Sequence, residues 1–196
     1  AQANTLLEIG KLYRDSSHFE QAAAQFEQAR KLAQQLKNPS LERESLVDAG
    51  SAYRDLKQYD RALSLYQDAL KLSDSVDNSQ TMATVLDNIG RIYVAQGQPD
   101  QALASFNQVL ALARAAVGAP WARTVESGTL ARLGDLNRSQ GQLDQALKFY
   151  QDALAMGKAQ DNLAVQATAL DRIAETQKAQ QKSAAALQTY DEERLV

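Results

Sequence analysis

The side chains able to do chemistry are few, and their spacings are those of helices. Two carboxylate pairs, Glu44/Asp48 and Asp171/Glu175, stand four residues apart, which puts each pair on one helical face. Such a pair could hold a hard cation or serve as acid and base. Like charges at this spacing mildly destabilise a helix, and a solvated or partner-facing patch explains them more simply. The single histidine, His18, falls in a turn with no catalytic type of partner at a suggestive spacing. The chain has no cysteine, which excludes a thiolate nucleophile, a thiolate zinc site and a disulfide scaffold. The glycines form no phosphate-binding loop. No enzyme activity, cofactor or metal is expected. The basic residues are more orderly, because Arg14, Arg54, Arg138 and Lys178 form a column broken by Val94. Guanidinium forks favour carboxylates, although neutralisation within the chain is the simpler reading of such a column.

The elements that carry these residues follow from composition. Of 196 residues, 44% are hydrophobic and 23% charged, with 9 Gly and 3 Pro, which excludes collagen-like, proline-rich and strongly disordered chains. A net charge of -3 argues against a protein that neutralises a phosphate backbone, so no nucleic-acid partner is expected. No apolar run approaches the roughly 20 residues of a membrane span. Ala, Leu and Gln dominate, aromatic residues make up 6%, and no segment alternates with period two for long. The fold class is all-α.

The chain repeats itself. Gly10 in LLEIGKLY returns as Gly50, Gly90, Gly134 and, as alanine, Ala174, with steps of 40, 40, 44 and 40. A second track, Ala22, Ala62, Ala102, Ala146 and Ala186, keeps the same steps, and four residues beyond each stands Phe26, Tyr66, Phe106, Tyr150 or Tyr190. Two tracks that share an irregular 44 define a unit. In each, a first helix carries a stripe such as Leu6, Ile9, Gly10 and Tyr13, and a second carries Ala22, Phe26 and Ala29. Glycine costs about 1 kcal/mol against alanine inside a helix, so its recurrence there implies close packing. Breakers separate the helices: Ser16-Ser17, Gly97-Gln98-Pro99 and Gly141-Gln142, with Gly97 and Gly141 suited to left-handed caps and Pro99 to a first turn. Ser40, Ser79 and Asn162 are candidate N-caps at the joints Lys37–Ser40, Asp77–Ser79 and Asp161–Asn162. Ten helices in five antiparallel pairs are predicted, with units near 3–38, 39–78, 79–118, 119–162 and 163–196 forming one array.

The series Leu6, Ile9-Gly10, Tyr13, Ala22, Phe26 resembles the tetratricopeptide pattern W-x2-L-G-x2-Y…A-x3-F. Asn137 and Gln177 stand where tyrosine is usual, and the period is 40 rather than 34. The chain is therefore similar to the longer-repeat subtype of kinesin light chains, spindle-orientation adaptors and bacterial arrays. The resemblance implies a right-handed superhelical solenoid and a non-enzymatic scaffold that binds a peptide or helix of a partner protein in its concave groove. The alternative is a regulatory or self-assembly module whose groove receives its own chain or a second copy. The terminal-carboxylate clamp of chaperone-binding relatives is missing at these positions.

Helical angle fixes the residues opposite the buried stripe. They are Glu8, Lys11 and Arg14; Asp48, Ser51 and Arg54; Asp87, Asn88 and Arg91; Arg132, Asp135 and Arg138; and Arg172 and Glu175, with Asp15, Asp55, Asp171 and Lys178 beside them. The resemblance turns this face into the groove. Its acids and bases balance, which predicts a protein or peptide ligand of mixed polar character. The four extra residues before Leu130 add about one turn, or ~6 Å, to a helix start. They bring in Trp121, read as a staple onto Leu112 or Val117 in preference to an interaction anchor. The chain begins without Met and ends within a helix that lacks a polar cap. An excised segment or mature form is expected, with self-association through the last helix and a cytoplasmic location.

Overall fold

A computed structural model describes residues 1–72 and 79–195. They form ten helices: α1 (Gln2–Asp15), α2 (Phe19–Gln35), α3 (Pro39–Asp55), α4 (Tyr59–Lys71), α5 (Ser79–Ala95), α6 (Pro99–Ala115), α7 (Pro120–Ser139), α8 (Leu143–Ala159), α9 (Leu163–Ala179) and α10 (Ser183–Glu193). In chain order these make five helix-turn-helix units. They divide into two compact bodies, residues 1–97 and 98–196.

The turn inside each unit is set by one left-handed residue. Ser17, Lys57, Gly97, Gly141 and Gln181 have φ of 60°, 60°, 68°, 76° and 62° and recur at the repeat spacing. In the first turn the Ser17 N–H donates to the Arg14 carbonyl at 2.9 Å and the His18 N–H to Tyr13 at 2.8 Å. Lys57 and Gln58, Gly141 and Gln142, and Gln181 and Lys182 close their turns the same way. This double bond satisfies the carbonyls a helix leaves unpaired at its end, and it reverses the chain. Gly97 and Gly141 thus take the caps the sequence predicts, and Pro99 starts α6.

Among the described residues, the joints between units are capped by side chains at two places. Asn162 accepts from the Val165 N–H at 3.2 Å, as expected. At the start of α3, however, the cap is Asn38, whose Oδ1 accepts from the Leu41 N–H at 3.0 Å. Ser40 lies inside the helix because Pro39, with no N–H to satisfy, takes the first turn and makes the residue before it the cap. Ser79 is the first residue of α5, and the expected joint residues Asp77 and Asn78 lie outside the described residues.

In the first body, α3 packs on α2 and α4, α1 on α2 and α3, and α5 on α4 and α3. Ala22, Phe26, Leu46, Ala49, Ala62, Tyr66, Val85 and Ile92 form one core. The small residues bring backbones together, and the aromatic of the second helix fills the space above the glycine of the first. Phe26 lies over Gly10 and Tyr66 over Gly50. In α1 only Gly10 of the expected stripe is buried: Leu6 is half-buried, Ile9 and Tyr13 are 38% and 37% exposed, and Leu7, outside the stripe, takes the buried place. In α3 the corresponding Ala49 is in the core and Tyr53 packs against it, whereas α1 meets only α2 and α3 among the described helices.

In the second body, α7 packs on α6 and α8, and α9 on α7, α8 and α10. Tyr150 covers Gly134, and Ala146, Tyr150 and Ile173 cluster. Where tyrosine is usual, Asn137 donates to the Leu133 carbonyl at 2.7 Å and Gln177 accepts from Thr189 at 2.8 Å, so each amide has a hydrogen-bond partner. α7 has 20 residues against 17 in α3, α5 and α9, so the extra residues extend its start. Trp121, in that turn, is half-buried, but Val117 is 92% exposed and supplies no staple.

Candidate interaction face

The first helices of successive units carry every candidate groove residue, and the two bodies treat them differently. In the first body Lys11 bonds Glu8 at 3.0 Å and reaches across to Glu44 of α3 at 3.1 Å. These hydrogen bonds, that to Glu8 foremost, raise the Lys11 ammonium above its ordinary range. Arg14 of α1 lies 3.9 Å from Asp48 of α3. One unit further on, Arg54 bonds Asn88 of α5 and holds Asp55 at 2.7 Å. Ser51 is buried, donating to the Val47 carbonyl at 2.9 Å and lying 3.1 Å from the Tyr66 hydroxyl. Asn88 is buried as well, Asp87 is half-buried, and Arg91 and Glu8 are exposed.

Asp48 is the most perturbed of these groups. Burial pushes its carboxyl up to about 6, against the opposing pull of Lys11 and Arg14. Its Oδ2 is buried with no hydrogen-bond partner. Beside it opens a cleft of about 600 Å³ lined from α1 by Asn4 and Lys11, from α3 and its cap by Asn38, Ser40, Leu41, Arg43, Glu44, Val47 and Asp48, and from α5 by Gln80, Thr81 and Thr84. Lys11 and Asp48 are the expected site residues that it brings together. Sequence reasoning missed the cleft's neutral lining, although Asn4 and Thr84 occupy the repeat position of Glu44 and were legible as a row with it.

In the second body Asp135 of α7 is the centre. Its Oδ1 accepts from the Tyr150 hydroxyl at 2.8 Å and lies 3.0 Å from Arg172 Nε on α9. Tyr190 donates to Glu175 at 2.8 Å, and Lys178 approaches the same carboxylate at 3.8 Å. Burial first, then the bond to Asp135, holds the Tyr150 hydroxyl above its ordinary range, and the bond to Glu175 does so for Tyr190. Arg132 and Arg138 are half-buried.

A rule unites the bodies. Wherever the second helix carries tyrosine, the residue fifteen places earlier accepts a hydrogen bond: Ser51, Asp135 or Glu175. Where it carries phenylalanine, as at Phe26 and Phe106, that position is cationic, Lys11 or Arg91. A phenol without an acceptor on a buried face would leave its proton unpaired, which explains the match.

The carboxylate pairs considered as cation sites are tied up otherwise. Glu44 and Asp48 face Lys11 and Arg14, Glu175 receives Tyr190 and Asp171 is exposed. Among the described residues, no group of three or more acidic or histidine side chains could hold a metal. No helix there is long and apolar enough to cross a membrane.

Comparison with known proteins agrees with this architecture. Residues 41–115 and 128–159 each match a tetratricopeptide repeat, together more than half of the sequence. The chain belongs to the tetratricopeptide-repeat family. Such repeats are generally protein–protein interaction modules and typically non-catalytic. Among solved structures it is similar to BtubC (BKLC) from P. vanneervenii, with 19% identity over 97% of this chain and 78% of that one, at a TM-score of 0.84. A putative kinesin light chain from Podosopora anserina with nearly identical TPR-like repeats gives 16% identity, 98% and 93% coverage and a TM-score of 0.78. Aspartyl phosphate phosphatase F from Bacillus subtilis gives 16% identity, 98% and 49% coverage and a TM-score of 0.87. At these identities the likeness is one of fold. No protein of curated function matches the sequence.

Proposed function

We propose that the chain docks a segment of a partner protein, extended or helical and of mixed polar character, along the groove of its first-helix face. The observation that carries this reading is the cleft at Asp48. It is of ligand size, is lined from three successive first helices, and presents neutral hydrogen-bonding groups beside a balanced set of charges. Lys11, Arg14, Glu44 and Asp48 already satisfy much of one another, so electrostatic steering is weak and selection rests on the pattern of hydrogen bonds. The test is selection of peptides from a random display library on the folded chain, followed by mapping of their contacts by amide chemical shifts. Perturbations centred on Lys11, Asp48 and Thr84 are expected. Selected peptides that shift only the outer faces of α2 and α4 overturn the reading.

A further inference from the structure

The five repeats serve as each other's controls, and one position breaks their pattern. Arg14 and Arg54 stand at the same place in their repeats, and each faces the residue 34 places on: Asp48 and Asn88 respectively. Arg54 also holds its neighbour Asp55. Arg138 occupies the same position in α7, but both of its counterparts have changed. The residue 34 places on is Arg172, and the neighbour is Ser139, whose hydroxyl donates back to the Leu136 carbonyl at 2.7 Å. Among the described residues the Arg138 guanidinium forms no hydrogen bond or ion pair, whereas its backbone carbonyl is engaged by the Gly141 N–H. Lys178, the next member of the column, is met by Glu175.

Arg172 is only half used. Its Nε lies 3.0 Å from Asp135 Oδ1, and among the described residues its terminal nitrogens form no hydrogen bond. The charges of Arg138 and Arg172 both bear on the Tyr150 hydroxyl, which is itself bonded to Asp135. The repeat relation that joins Arg14 to Asp48 and Arg54 to Asn88 places Arg138 opposite Arg172, which itself lies 3.0 Å from Asp135, where the matching place in the first body has one guanidinium between an acid and an amide. The surroundings reinforce the excess. On the groove face the second body carries Arg132, Arg138, Arg172 and Lys178 against Asp135, Asp171 and Glu175, whereas acids outnumber bases in the first body.

The geometry points to Arg138 and the free edge of Arg172 as a subsite for a carboxylate side chain of an acidic partner peptide. This rests on the docking reading above and locates its acidic contact in the second body. A carboxylate set between the two groups can accept from donor pairs on both sides, since Asp135 engages Arg172 through Nε and not through its terminal nitrogens. The column as a whole is no anion site, because its other members are already paired.

The test uses fluorescein-labelled hexaglutamate and the intact chain, with anisotropy as readout and circular dichroism to confirm folding. Two variants address the subsite differently: Arg138→Gln removes the guanidinium, and Ser139→Asp supplies the acid that Arg54 has in Asp55. Each is expected to weaken hexaglutamate by about tenfold or more, while Arg54→Gln changes it by less than about twofold. Absence of binding to the native chain, or an Arg54→Gln effect as large as that of Arg138→Gln, overturns the assignment. Displacement by inorganic phosphate at concentrations where acetate has no effect overturns it too, in favour of a phosphoryl ligand. If display selection yields groove-binding peptides while hexaglutamate is ignored, the subsite falls and the docking reading stands. Hexaglutamate bound at Arg138 with no peptide selected at the Asp48 cleft separates the two in the other direction.

Discussion

Gly50 and the ring of Tyr66 are in direct contact: a Cβ built on Gly50 would lie 2.7 Å from Tyr66 Cε1. The same relationship joins Gly10 to Phe26 and Gly134 to Tyr150. The first helix gives up helical propensity at this place so that the second can seat a full aromatic ring.

Gly50→Ala therefore sets two effects against each other. Alanine gains about 1 kcal/mol of helix propensity, but the added methyl must displace a buried ring at a cost of about 1–3 kcal/mol. The net expectation is destabilisation, read as a lower urea midpoint, with recovery when Tyr66→Leu is added. An alanine variant as stable as the native chain would show that the ring yields freely.

Tyr150→Phe removes the hydroxyl that steadies Asp135. The expected loss is about 1–2 kcal/mol, since the acceptor is charged. Arg172 should also become more mobile, which its Nε–H signal would report. Unchanged stability together with an unchanged Arg172 signal counts against the hydroxyl-to-acceptor rule.

Asp48 predicts a pH dependence with a definite sign. Its folded value, about 6, lies above the ordinary 3.8, so the native state holds the proton more tightly than the unfolded chain. No penalty exists below the unfolded value; it grows as pH rises between the two values and is complete above about 6. Asp48→Asn should thus stabilise the protein by about 1–2 kcal/mol near pH 8 and have little effect near pH 3. Urea midpoints at both pH values check this, and an equal shift at both would refute it.

The left-handed turn residues offer paired substitutions. Lys57 has φ of 60° and Gly141 has φ of 76° at equivalent places. Lys57→Gly should gain, and Gly141→Ala lose, about 1 kcal/mol. Thermal melts that move both variants in one direction would contradict the geometry.

At the start of α3, Asn38→Ala should cost about 1 kcal/mol, and Ser40→Ala less than about 0.5. Chemical denaturation of the two variants separates the residue that caps from the one that only follows the proline.

The architecture was legible because buried positions repeat. Ala22, Ala62, Ala102, Ala146 and Ala186 answer the same packing demand, as do the aromatics four residues on. Helical angle likewise found the face that carries Lys11, Asp48 and Arg172. It could not say which residues of neighbouring helices meet, because that depends on the stagger between units. Lys11–Glu44 and Arg172–Asp135 therefore emerged only from coordinates. The cap at Asn38 was within reach, since Pro39 favours the first helical turn and marks the residue before it. Nothing in the sequence column sets Arg138 apart from Arg14, Arg54 and Lys178; the partners those three find in the structure do.

The agreement between each tyrosine hydroxyl and an acceptor fifteen residues earlier has a consequence for how such chains can be recombined. Donor and acceptor sit within one helical hairpin, so a hairpin transplanted whole brings its own polar bookkeeping with it. A chimera cut at the inner turn, joining α1 to α4, would set Tyr66 against Lys11 and strand a phenol beside an ammonium. Shuffling at the joints between hairpins conserves these matches, and shuffling at the left-handed turns breaks them wherever a tyrosine-bearing helix meets Lys11 or Arg91.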